Sequence, residues 1–126
     1  MHSRRSNTLR DFEKASEERA KALFELHLAK MHFEKAAARS YRLTQKLNRM
    51  VNAPTRKDVD EERKVQEQIT AMRRRIDEAI HMQMDELHDM KRLESEFEEA
   101  DDKYQFAMGM HRSREFMDLD SEVDSD

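Results

Sequence analysis

The sequence predicts an all-α protein, an antiparallel two-helix hairpin of coiled-coil type that dimerises into an elongated four-helix bundle. Three observations predict it. Apolar residues recur in steps of three and four over two long stretches, which is heptad spacing. The 126 residues include one proline, Pro54, and one glycine, Gly109, so almost nothing interrupts a helix. Folding the chain at Pro54 sets apolar residues of one stretch against apolar residues of the other.

The first helix is expected over 8–52, after a flexible basic N-terminus at 1–7. Thr8 and Asp11 have capping-box spacing, with Asp in place of the usual Glu. The inner stripe reads Phe12, Ala15, Arg19, Ala22, Leu26, Ala29, Phe33, Ala36, Ser40, Leu43, Leu47 and Met50. Asn52-Ala53-Pro54 ends the helix, because a residue before proline is pushed out of the helical region. The turn is placed at 53–55, with Thr55 and Asp58 able to cap the second helix, expected over 56–110. Its stripe reads Val65, Ile69, Met72, Ile76, Ala79, Gln83, Met90, Leu93, Phe97, Ala100, Tyr104 and Ala107, widened midway by Ile80 and Leu87. Gly109 can be the C-terminal cap, or the helix can fray on toward Met117. The acidic segment 111–126 holds little apolar surface and is expected to be largely disordered.

A turn centred near 53–54 makes facing positions sum to roughly 107 in an antiparallel pair. Leu47 then meets Val59, Phe33 meets Met72 and Ile76, Leu26 meets Ile80, and Phe12 meets Leu93 and Phe97. A hairpin of this length is roughly 70 Å long at the α-helical rise.

Composition narrows the function. Charged residues make up 41% of the chain and aromatic residues 6%. One hairpin of that kind has a thin core, and thin cores are usually completed by self-association or a partner. No cysteine is present, which excludes disulfides, thiolate metal sites and cysteine catalysis and suits a reducing compartment. No apolar run approaches the length of a membrane span, and the basic start lacks the apolar stretch of a secretory signal. The expectation is a soluble protein of the cytoplasm or nucleus. Charge is polarised: residues 39–75 hold 11 basic and 5 acidic side chains, whereas residues 76–126 hold 5 and 17.

Four features are candidates for a functional role. Leu23, Phe24, Leu28 and Met31 on the first helix, with Ile80, Met84 and Leu87 on the second, extend beyond the inner stripe and suggest a self-association face. Arg39, Arg42, Lys46 and Arg49, with the run Arg73, Arg74 and Arg75, make a basic tip able to meet phosphates or an acidic partner. Interleaved acids and a pI near 5.9 weigh against a dedicated nucleic-acid binder. Glu78 with His81, and Asp85 with His88, have the Glu-x-x-His spacing of ferritin-like di-iron helices, and Glu25 of the other helix falls near His81 in the assumed register. They also form a stripe beside the seam, where such pairs are ordinary surface decoration, so no metal or cofactor is assigned. In the acidic segment, Ser121 and Ser125 stand in contexts suited to acid-directed kinases, and Phe116, Met117 and Leu119 suit a short linear motif.

No Gly-rich loop, nucleophile–base arrangement or concave scaffold suggests an enzyme. The sequence points to a structural or adaptor protein whose partners are itself and other proteins. Binding of nucleic acid or an anionic surface through the basic tip is the alternative, and a ferritin-like metal-binding bundle the second alternative.

Overall fold

A computed structural model describes the backbone of residues 4–54 and 58–124, and the side chains of residues 7–54 and 58–113. Two helices pack against each other: α1, Arg4–Val51, and α2, Val59–Asp124. Among the described residues there is no strand. No helix is long and apolar enough to cross a membrane.

The ends differ from the sequence boundaries. α1 starts at Arg4, one turn before Thr8, because nothing from Arg4 to Asn7 breaks a helix. At the other end the backbone leaves the helix at Asn52, whose amide still donates to the Asn48 carbonyl at 3.0 Å. Thr55 lies outside the described residues, and Asp58 is the cap of α2. Its Oδ1 accepts the Asp60 amide at 3.0 Å, and its carbonyl accepts the first helical bond, from Glu62. Asp60, Glu61 and Glu62 then supply negative charge to the first turn, where the helix dipole favours it. Gly109 is no cap. It lies within α2 with a negative φ, and the helical backbone continues to Asp124 where the acidic composition suggests disorder. No proline or further glycine follows Gly109, so no breaker stops the helix there.

All 24 residues assigned to the two inner stripes are buried or half-buried. The helices contribute to two compact units, Met1–His27 with Lys91–Asp126, and Leu28–Met90. In the first unit, Phe12 packs on Tyr104 and stacks on His111, with 5.5 Å between ring centroids in each case. The Arg19 guanidinium lies 5.5 Å from the Phe97 ring centre and 5.0 Å from that of Tyr104. Its Nε donates to Asp101 Oδ1 at 2.7 Å, and Ala15 and Leu26 are buried in the same unit.

The second unit is centred on Leu43, Met72, Ile76 and Ala79, with Leu47 and Met50 packed against them. One polar layer interrupts this core. The Ser40 hydroxyl lies 2.8 Å from Gln83 Oε1 and 3.0 Å from the Ala37 carbonyl, and its single proton serves both. Ala79 is the most enclosed core residue, at 2% exposure, and the other core side chains retain 5–8%. The core is thin, as a two-helix pair requires.

The register is displaced from the expected one. Phe12 meets Tyr104 and His111 rather than Leu93 and Phe97, and Leu43 meets Met72, Ile76 and Ala79. Val59, the expected partner of Leu47, is 74% exposed. The displacement is roughly three helical turns along α2. The first turns of α2 are largely exposed, and Val65 is its first stripe residue to line a cleft with Met50 and Ala53. Heptad stripes match one another at many offsets, so apolar agreement alone does not choose between registers.

Candidate interaction surfaces

The residues expected to mediate self-association are divided between the two units. In the first, Phe24 is 63% exposed and Leu23 half-buried. In the second, Leu28, Met31, Ile80 and Met84 are exposed at 39–51%, and Leu87 is half-buried.

Within the second unit these side chains do not form one patch. Leu28 precedes buried Ala29 by one position, which places it about 100° to one side of that residue, and Met31, two positions from both Ala29 and Phe33, falls on the side of α1 opposite the seam. Ile80 follows buried Ala79 by one position, and Met84 and Leu87 continue along that side of α2. Both helices are right-handed and run in opposite directions. Stepping back on one and forward on the other therefore leads to opposite edges of the pair. α1 therefore supplies one apolar face, turned toward its outer side, and α2 a separate one beside its seam.

All seven residues of the basic tip, Arg39, Arg42, Lys46, Arg49, Arg73, Arg74 and Arg75, are exposed in the second unit. Among the described residues ion pairs join Arg19 to Asp101 and Arg92 to Glu96, and none of the seven takes part in either. Arg56 and Lys57, also at the bend, lie outside the described residues.

Glu78, His81, Asp85 and His88 are all exposed. Among the described residues no three His, Asp or Glu side chains converge in a way that would hold a metal ion. The side chains of Phe116, Met117, Leu119, Ser121 and Ser125 lie outside the described residues.

One surface is absent from the sequence-derived set. In the first unit, Phe106 at 73% and Met110 at 49% exposure line a shallow cleft with Ala15 and Ala107, bordered by Asp11, Lys14 and Lys103. Phe106 stands two positions past the stripe residue Tyr104. An aromatic residue off the stripe is a readable sign of an outward apolar group, and Phe24 carries the same sign.

Comparison of the chain with protein-family models, curated proteins and solved structures finds no match.

Proposed function

We propose that this chain is a non-enzymatic interaction module, a helical hairpin that self-associates and presents charged regions to protein partners in the cytoplasm or nucleus. The observation that carries the reading is the set of large apolar side chains left in solvent on a chain that is 41% charged: Leu28, Met31, Ile80 and Met84 all stand outside the seam. Each lies on a helix whose inner stripe is already engaged, so intrachain packing leaves them uncovered. A second hairpin laid against either edge buries them and makes a four-helix assembly. The thin core gives such an assembly an energetic reason, since each buried methylene contributes about 0.8 kcal/mol.

Light scattering on the full chain, with lysine crosslinking as a second readout, tests this. The expected mass is that of a dimer or larger. Leu28→Glu with Met31→Glu burdens the α1 edge with charge, and Ile80→Glu with Met84→Glu does so on the α2 edge. At least one pair should lower the mass to that of a monomer while circular dichroism stays helical. A monomeric wild type contradicts the reading, and so does full association in both variants.

The seven exposed basic residues of the second unit favour a second reading, attachment to an anionic surface or nucleic acid. Its sign is binding to generic RNA or DNA that weakens steeply as salt rises. No binding at low salt removes it.

A further inference from the structure

A cleft in the second unit joins the end of α1 to the start of α2. Its rim is exposed and polar (Lys46, Arg49, Gln68), and its floor is half-buried and apolar (Met50, Ala53, Val65). No acidic residue lines it among the described residues, so its only charges are positive. Its volume of about 480 Å³ falls within the roughly 300–1,000 Å³ of ligand-sized clefts. No aromatic side chain is present for a base to stack on, and half of the lining is apolar. An acidic peptide with apolar side chains fits that lining better than a nucleic acid does.

The chain's own sequence holds such a segment, beyond the last residue of the inner stripe. Residues 115–126 contain six carboxylates and the apolar residues Phe116, Met117, Leu119 and Val123, with no basic residue. At helical spacing Phe116, Leu119 and Val123 share a face, and each is preceded by an acid, Glu115, Asp118 or Glu122. An apolar face bordered by carboxylates is the complement of an apolar floor bordered by Lys46 and Arg49. The other acidic stretch, Glu94 to Asp102, is already engaged: its Phe97 ring lies against Arg19, and its Asp101 accepts from Arg19.

We infer that residues 115–126 of a second copy seat in this cleft, their apolar side chains against Met50, Ala53 and Val65 and their carboxylates against Lys46 and Arg49. The inference rests on the self-association proposed above, which supplies the second copy. It adds a contact that the apolar faces do not provide. The basic excess of residues 39–75 and the acidic excess of the C-terminal region meet there.

Two full-length variants mixed in equal amounts test this. One carries Lys46→Glu with Arg49→Glu, the other Asp118→Lys with Glu122→Lys, so the charges of the contact are exchanged. A carbodiimide joins an amine to a carboxylate in direct contact. Within either variant position 46 has the same charge as positions 118 and 122, so a link between them forms only between copies. That link should appear at several times the yield of links from position 46 to other sites, and high salt should suppress it. Unlabelled and isotopically labelled wild-type copies should give the same link, through Lys46, with mixed label. Phe116→Ser with Leu119→Ser should lower its yield several-fold, which charge attraction alone does not predict. If the wild type associates but Lys46 links no more to Asp118 and Glu122 than to Glu94 and Glu98, this contact is wrong while self-association stands. Binding of generic DNA at low salt together with that result assigns the basic tip to nucleic acid instead. A wild type that stays monomeric overturns both.

Discussion

Arg19 is the only charged residue in the inner stripe of α1, and its position is explained by what surrounds it. The guanidinium lies against the Phe97 and Tyr104 rings and donates to Asp101 at 2.7 Å. The hydrogen bond from Arg19, with the nearby positive charge and a further bond from Gln105, holds the Asp101 carboxyl below its ordinary value of 3.8, against a smaller opposing effect of burial. Because folding lowers this pKa, the folded state holds the proton less readily than the unfolded one. The pair's contribution is therefore complete above pH 3.8 and is lost as pH falls from there through the lower folded value. Both side chains are about one-third exposed, so the effect is modest and weakened by salt. Urea midpoints of wild type and Asp101→Asn should differ at neutral pH, with the wild type more stable, and converge as that range is crossed. Midpoints separated by a constant amount at every pH would mean that the carboxylate charge plays no part.

At the scale of the helices, the polar layers are what distinguish one register from another. The α1 stripe contains two polar residues, Arg19 and Ser40, and the α2 stripe contains Gln83. Ser40 and Gln83 meet each other, and a slip of either helix would leave one of them against apolar neighbours, at a cost of about 1–3 kcal/mol for an unsatisfied buried group. A Leu43→Cys, Ile76→Cys chain should form an intrachain disulfide readily, because both positions belong to one cluster. Leu43→Cys with Lys64→Cys, which the symmetric turn would pair, should not. The opposite result would restore the turn-centred register. Stripe membership was legible in the sequence, down to each residue from Phe12 to Met50 and from Val65 to Ala107, because period alone determines which side of a helix is apolar. The register was not, since a heptad pattern repeats under translation and the first turns of α2 sit beyond the obvious proline. The meeting of Ser40 with Gln83 was the signal that could have revealed it. The off-stripe apolar residues were legible as a set, but their separation onto two faces follows from the antiparallel sense of the helices, which a list of such residues does not contain.

For the whole molecule, the division of charge matters more than its total. The net charge is −4, yet residues 39–75 carry an excess of six basic groups and residues 76–126 an excess of twelve acidic ones. Under the proposed self-association, this division would favour one orientation of the copies over others, and salt should weaken that preference before it weakens apolar contact. Everything turns on whether the exposed edges are covered by another copy. Light scattering of the full-length protein across a concentration series tests this most directly. The expected result is a mass of at least twice the 15.2 kDa chain, falling toward one chain only on dilution. A mass of 15.2 kDa that persists at the highest concentration would contradict it.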